Sequence, residues 1–385
     1  MVSPRPAVSA TQFATHRGWH KDPFQVAEWR WHDGQIWTSY IHSGIQTKKP
    51  FLPAWLSIPL IPAMIVTVIG VLYTAINAPL VIALGLVPMI FVLPAMAWLD
   101  RVEPEPRSSQ IHAILWGACF AALVSGIVNT IAAATVNDTF ATVASAPLIE
   151  ELTKGLGIYW AVKRHEVDGV MDGIVYAGWT ALGFAVVEDF LYFYNASLVG
   201  NLGGVFVLRA LLTPFAHPLF TMWIGLGIGL AVSKSRPIFP FALGGYVLAV
   251  ASHAFWNGSL VLAAKTGSNI GLLVAVVCFI AIFFGSVTCV IAIRQRTVME
   301  FVAAIPAVAK RYGMSEGEVM VFGDWRQLLT TRRSLPKNKR KKFDDLHRAL
   351  ARLGCFHTRC KSTDTIDPIE EQILVNQLHI ARQGD

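Results

Sequence analysis

Apolar residues occur along this chain in runs of about 20 residues, separated by short polar connections. Each run is long enough to cross ~30 Å of hydrocarbon as a helix. Prolines within the runs do not exclude helices, because packed membrane helices tolerate them. The pattern predicts eight spans, at 54–76, 79–98, 111–133, 139–161, 170–194, 204–232, 238–261 and 270–293. The shared boundary near Asn77–Pro79 is the place where two runs could merge into one.

The basic residues of the connections support this count. Connections that contain Lys or Arg alternate with connections that contain none or, in one case, a single lysine, Lys265. Cytoplasmic loops are enriched in Lys and Arg, so alternation over eight spans places both termini in the cytoplasm. The fold class is therefore predicted to be all-α: a polytopic membrane protein with eight transmembrane helices, expected as a multi-pass protein of a bacterial plasma membrane.

Composition agrees with a membrane protein, since hydrophobic residues make up 54% of the chain and charged residues 15%. The net charge of +7 lies mainly at the predicted cytoplasmic ends, so it indicates topology and anionic lipid as a partner rather than nucleic acid. Three domains are predicted: an N-terminal segment at 1–50, an eight-helix domain at 51–293 and a basic cytoplasmic tail at 294–385. The oligomeric state does not follow from the sequence.

A tryptophan-rich module is predicted at 17–42, within the N-terminal segment. Asp33-Gly34 lies between alternating aromatic residues, which is typical of a hairpin turn. The module resembles a short tryptophan-rich domain of unknown function found ahead of membrane spans in actinobacterial proteins. In the C-terminal tail, a basic cluster at 334–342 leads into Phe343, Leu346, Leu350 and Leu353 at helical spacing, which predicts a helix beside anionic lipid.

The fourth predicted span carries three ionisable residues, Glu150, Glu151 and Lys154. A charged side chain at mid-bilayer costs at least ~3 kcal/mol, so three in one helix need a reason. Ion pairing within a bundle would explain one carboxylate but not two adjacent ones. Adjacent carboxyl groups that repel each other suit acid–base chemistry.

The next spans contribute their own polar residues: Glu188 four residues after Phe184, His217 beside a proline, and His253 with Asn257 one turn later. A structural histidine bonded to a freed backbone carbonyl, or interhelical hydrogen bonds, would be the simpler explanation of each group taken alone. Beside two glutamates, the imidazole and carboxamide groups are typical of donors to a developing oxyanion.

These motifs occur in the order seen in the PrsW family of intramembrane proteases, which this chain resembles over roughly residues 54–293. The motifs are Glu150-Glu151-x-x-Lys154, Phe184-x-x-x-Glu188, His217 and His253-x-x-x-Asn257. Related glutamate-dependent membrane proteases process prenylated proteins. The resemblance implies an intramembrane endopeptidase that cleaves single-span, membrane-anchored proteins. The best-known role of the family is the first cleavage of an anti-sigma factor during stress signalling.

Two hydrolytic mechanisms are open. In the first, Glu150 or Glu151 activates water, Lys154 and the other acid tune that base, and Glu188 orients a histidine or shuttles the proton to the leaving amine. His217, His253 and Asn257 then bind the substrate carbonyl. In the second, His217, His253 and Glu188 hold zinc and Glu151 acts as base. No His-Glu-x-x-His motif is present, so no cofactor is expected, with zinc as the alternative.

A proton-coupled transporter is the principal alternative from another class, because intramembrane acids and histidines also form proton relays. A non-catalytic binding protein would leave the doubled glutamate unexplained. No internal repeat of the kind common in transporters is visible, so hydrolysis is the favoured interpretation.

Overall fold

The computed structural model describes residues 18–21, 29–35, 37–42, 54–164, 166–267, 269–363 and 368–383. The chain divides into two compact units. The membrane unit comprises Pro50–Arg296, and the terminal unit combines Met1–Lys49 with Thr297–Asp385. The segments predicted as separate N-terminal and C-terminal domains therefore fold together as one unit.

The membrane unit is built almost entirely from helices. Its α-helices are α1 (Ala54–Asn77), α2 (Pro79–Gly85), α3 (Val87–Leu99), α4 (Arg107–Leu115), α5 (Ala122–Thr135), α6 (Asp138–Phe140), α7 (Ala146–Lys163), α8 (Val170–Leu198), α9 (Leu202–Phe206), α10 (Ala216–Ser233), α11 (Ile238–Thr266) and the first part of α12 (Asn269–Tyr312). Three π-helical segments continue these helices, at Trp116–Ala121, Ala141–Ser145 and Val207–Leu212. Helix α1 ends at Asn77, where the sequence predicts a boundary, and α2 begins at Pro79.

Seven helices among the described residues are long and apolar enough to cross a membrane, so the chain is an all-α polytopic membrane protein. They are Leu60–Asn77, Pro79–Leu99, Arg107–Thr135, Val170–Leu198, Ala216–Ser233, Ile238–Thr266 and Leu273–Tyr312. The span predicted at 139–161 is also helical, through α6, a π-helical segment and α7. This segment is not among the seven apolar helices because it carries Glu150, Glu151 and Lys154. That it crosses the membrane stays a prediction.

The span predicted at 204–232 is not one continuous helix. Helix α9 and its π-helical continuation end at Leu212, and α10 begins at Ala216. Pro214 explains the break, because a proline disfavours helical backbone at the residue before it and has no N–H to donate. Thr213 instead bonds to the Leu208 carbonyl through both its backbone N–H and its hydroxyl, at 3.0 and 2.9 Å.

Helices α8 and α10 approach each other closely enough for their backbones to touch. A Cβ atom added at Gly173 would lie 2.1 Å from the Gly225 carbonyl oxygen, and one added at Gly225 would lie 2.1 Å from the Gly173 oxygen. Only glycine fits at both positions. This contact fixes the spacing of the two helices that carry Glu188 and His217.

The described residues of the terminal unit form a three-stranded antiparallel sheet and four helices beyond α12. Strands β1 (Gly18–Lys21), β2 (Trp29–His32) and β3 (Trp37–His42) pair in the order β1-β2-β3, with Asp33-Gly34 in the connection between β2 and β3. The helices are α13 (Glu316–Phe322), α14 (Trp325–Ser334), α15 (Lys337–Thr363) and α16 (Pro368–Gln383). Trp31 packs edge-on against Tyr312, at 6.0 Å between ring centroids, within a core that includes Leu350 and Leu353. The described residues of the predicted C-terminal tail thus form helices that share a core with Trp31.

Reporter fusions will decide whether the charged helix around α7 crosses the membrane. Fusions ending after Asn77, Asp138, Asn201 or Asn269 are expected to support alkaline phosphatase activity outside. Fusions after Arg107, Arg164 or Arg236, and at the C-terminus, are expected to keep green fluorescent protein fluorescent inside, because their connections are basic. If the fusions after Asp138 and Arg164 report the same side of the membrane, the prediction that this helix is the eighth span is wrong.

The glycine contact between α8 and α10 predicts a large difference between two alanine substitutions. Gly225→Ala is expected to destabilise the detergent-solubilised protein by about 1–3 kcal/mol, because its methyl group must displace backbone. Gly70→Ala, where no atom lies within 4 Å of the added Cβ, is the control and is expected to be neutral or slightly stabilising. Equal thermal unfolding midpoints for the two variants would contradict the close approach.

Candidate functional site

Helix α7 carries three charged residues toward the interior of the membrane unit. Glu150 is 3% exposed, and Glu151 and Lys154 are fully buried. Residues three and four apart share a helix face, so Lys154 lies next to both acids. Buried charges of this kind are stable only when they are paired and hydrogen-bonded.

The Lys154 ammonium connects α7 with α10. Its Nζ lies 2.8 Å from Glu151 Oε1, 3.6 Å from Glu150 Oε2 and 3.2 Å from His217 Nδ1. It also lies 4.1 Å from the centroid of the Phe184 ring on α8, a favourable position for a cation. Because an ammonium group only donates, His217 accepts at Nδ1 and carries its hydrogen on Nε2.

Glu151 is held on both carboxylate oxygens. Oε1 accepts from Lys154 and lies 3.0 Å from His253 Nδ1, and Oε2 accepts from the Thr221 hydroxyl at 2.8 Å. An ionised carboxylate only accepts, so His253 carries its hydrogen on Nδ1 and its Nε2 is free to accept. Glu151 thus orients His253, whose ring also stacks on Phe220 at 4.7 Å between centroids.

Glu150 faces a different environment from its neighbour. It lines a cavity of about 720 Å³, whereas Glu151 and Lys154 are not among the lining residues. Its Oε1 lies 3.4 Å from Asn129 Nδ2, and its Oε2 has no hydrogen-bond partner. That oxygen is 3.9 Å from His253 Nε2. Glu150 therefore presents a carboxylate to the cavity while Glu151 is turned away from it.

Glu188 lies between a histidine and an arginine. Its Oε2 lies 2.7 Å from His217 Nε2, which donates, and also accepts from Arg209. Arg209 is on the π-helical segment Val207–Leu212 and donates through Nε to Asp189 at 2.5 Å. The arginine thus pairs with two adjacent carboxylates on α8, and Glu188 fixes the orientation of His217.

The structure brings the predicted site residues into one region, with two differences from the predicted arrangement. The possible metal ligands that lie close together are Glu150, His217 and His253, whereas the sequence predicted Glu188 in place of Glu150. Asn257 lines the cavity, but its Nδ2 donates to the Thr142 backbone oxygen at 2.9 Å. The amide therefore ties α11 to the π-helical segment Ala141–Ser145.

Sequence reasoning missed two residues of the site, Asn129 and Thr221. Asn129 lies inside an apolar run, and an asparagine there is a signal that could have been used. Thr221 gives no such signal, because a threonine in an apolar helix usually bonds to the backbone of the preceding turn.

The donor atoms suit a divalent metal. Glu150, His217 and His253 each offer one ligand atom, and these atoms lie within 4.8 Å of one another. A carboxylate with two imidazoles is a zinc ligand set, and the bond from His253 to Glu151 is the outer contact that such histidines make. Glu150 Oε2 is also buried without a partner. Against this, the Lys154 ammonium lies beside Glu150 and His217, where it repels a cation.

Comparison with known proteins gives a consistent result. Residues 105–286 match a family described as PrsW family intramembrane metalloprotease. The chain is 29% identical over 194 residues to Protease PrsW of Geobacillus kaustophilus, covering 50% of this chain and 84% of that protein. It is 30% identical over 152 residues to Protease PrsW of Clostridioides difficile, covering 37% of this chain and 63% of that protein. No solved structure matches it.

The matched region contains α7, α8, α10 and α11, the helices that carry Glu150, Glu188, His217 and His253. The motif order, the multi-pass helical fold and the two relatives agree. Over residues 105–286 the chain is similar to the PrsW family of intramembrane proteases.

Proposed function

We propose that this protein hydrolyses peptide bonds of single-span, membrane-anchored proteins, using water activated by Glu150. The observation that supports this assignment is the contrast between the two adjacent glutamates. Glu150 lines the cavity with one unbonded oxygen, whereas both oxygens of Glu151 are occupied. A general base must reach the proton that it removes, and only the first of the two lines the cavity.

The proposed reaction begins with a water molecule between Glu150 and His253. Glu150 Oε2 and His253 Nε2 are 3.9 Å apart, close enough for one water molecule to donate to both once the carboxylate turns toward the cavity. Glu150 takes a proton from this water, and the water oxygen attacks the carbonyl carbon of the scissile peptide. The C–N bond then breaks, and the proton on Glu150 passes to the leaving nitrogen.

The other charged residues hold this arrangement. Thr221 and Lys154 hold Glu151, which in turn fixes His253. The ammonium of Lys154 offsets one of the two negative charges of the glutamate pair. Glu188 fixes His217, which also lines the cavity. Cleavage of an anti-sigma-factor-like substrate in stress signalling is the role that the family resemblance suggests.

A metal-dependent version of the same hydrolysis is the second candidate, because the cluster of Glu150, His217 and His253 suits zinc. A bound metal would supply an activated water and polarise the substrate carbonyl. The metal-free version is favoured by Lys154, whose ammonium lies 3.6 Å from Glu150 and 3.2 Å from His217.

Anionic lipid is the proposed partner of the terminal unit. The first turns of α15 expose Lys337, Lys339, Lys341 and Lys342. Basic clusters on the cytoplasmic side of a membrane attract acidic headgroups, by about 1 kcal/mol per residue.

Substitution of Glu150 will test the proposed base. Glu150→Gln is expected to lower the cleavage rate by about 10²–10⁴-fold, because the amide cannot take a proton from water. The measurement is cleavage of a panel of single-span reporter proteins by purified protein in liposomes. Asp138→Asn, an exposed acid on the same helix, is the control and is expected to leave the rate unchanged. If Glu150→Gln keeps its cleavage activity, Glu150 is not the general base and the proposed mechanism is wrong.

Chelation will separate the two versions of the mechanism. The metal-free version predicts that cleavage survives exhaustive treatment with a strong chelator and that the purified protein is metal-poor. The metal-dependent version predicts about one equivalent of metal per chain and reversible loss of cleavage. In that case His217→Ala and His253→Ala are expected to lose the metal, and Glu188→Gln to retain it because Glu188 lies outside the cluster of three.

A further inference from the structure

Asn129 on α5 lies beside the proposed base and lines the same cavity. Its Nδ2 is 3.4 Å from Glu150 Oε1, and its Oδ1 accepts from the Ser145 hydroxyl at 2.8 Å. Ser145 and Glu150 are five positions apart on one continuous helix. The amide is therefore attached to the helix of the proposed base at two points.

The contact with Glu150 determines which way the amide points when Glu150 is ionised, as the proposed base must be before it acts. An ionised Glu150 carboxylate can only accept, so the NH₂ group faces Glu150 and the oxygen faces Ser145. The bond to Glu150 is long for an N–H···O bond, whose usual range is about 2.7–3.2 Å, and is therefore weak. One N–H points toward Glu150, and the second remains for a group in the cavity.

Hydrolysis of a peptide needs a donor for the negative charge that develops on the carbonyl oxygen. The histidines do not supply it in the arrangement described above. His253 Nε2 is an acceptor while Nδ1 donates to Glu151, and the Nε2 hydrogen of His217 is directed to Glu188. The Lys154 ammonium donates to Glu151 and His217 and does not line the cavity. Among the described groups that bond to Glu150, Asn129 has an N–H that its partners leave open.

We propose that Asn129 is a catalytic residue whose amide N–H binds the carbonyl oxygen of the scissile peptide and stabilises the oxyanion formed on it. The proposal rests on the proposed function, because it takes Glu150 as the base that delivers water to that carbonyl. Ser145 is the corresponding positioning residue, since its hydroxyl holds the amide oxygen and so directs the NH₂ group toward the reacting bond.

The test compares steady-state cleavage by the full chain in liposomes, using the single-span reporter that the wild type cleaves best. The variants are Asn129→Leu, which keeps the approximate shape and removes the donor, and Ser145→Ala. Asn77→Leu changes an exposed asparagine of α1 that is not among the residues lining the cavity, and it is the matched control. Size-exclusion profiles and thermal unfolding midpoints establish that each variant folds.

Asn129→Leu is expected to lower kcat by about 10²–10³-fold, the usual effect of removing one oxyanion donor, with little change in KM. The acid limb of the pH profile of kcat/KM is expected to stay in place, because that limb reports Glu150. Ser145→Ala is expected to lower kcat by a smaller factor, and Asn77→Leu to leave it unchanged.

A kcat for Asn129→Leu within about threefold of wild type would overturn the inference, since a lost donor costs far more. So would a displaced acid limb with kcat recovering at the new optimum, which would make Asn129 only a support for Glu150. If Asn129→Leu fails to fold, an unchanged kcat in Ser145→Ala overturns it instead. Activity in Glu150→Gln would contradict the proposed function itself. An inactive Glu150→Gln together with a fully active Asn129→Leu would contradict this inference alone.

Discussion

The buried ammonium of Lys154 is the constraint around which the site is organised. A charge without access to water is stable only among acceptors, and the structure provides them from two helices. Glu150 and Glu151 come from α7 itself, and His217 comes from α10. Glu151 then reaches His253 on α11. One cation thus links three helices, and of the two adjacent glutamates on α7 it is Glu150 that lines the cavity.

The helical frame serves this arrangement through two backbone features. The glycine contact between α8 and α10 brings Glu188 next to His217, because no side chain separates the two backbones. The break at Thr213–Phe215 ends the segment that carries Arg209 and starts α10 immediately before His217. Arg209 then pairs with both Glu188 and Asp189. This second charge cluster therefore depends on a helix interruption whose signal in the sequence is Pro214.

Much of this could be predicted from the sequence, because hydrophobic runs and unusual charges are local signals. The apolar runs gave the positions of the membrane helices, and Glu150, Glu151 and Lys154 were conspicuous inside one of them. Which glutamate lines the cavity was not predictable, since adjacent residues differ by about 100° around a helix and packing decides which side is filled. Asn257 pairs with the Thr142 carbonyl, and N-terminal and C-terminal segments belong to one compact unit. Both features depend on long-range contacts that no local pattern encodes.

Chemical rescue by formate tests the central claim most directly, because the claim is that Glu150 alone of the two glutamates acts from the cavity. Glu150→Ala leaves Lys154 paired with Glu151 and opens space for a small carboxylate beside the attacking water. The account predicts that added formate restores measurable cleavage in Glu150→Ala. It predicts no restoration in Glu151→Ala, whose side chain is not among the groups that line the cavity. Rescue of Glu151→Ala without rescue of Glu150→Ala would contradict it.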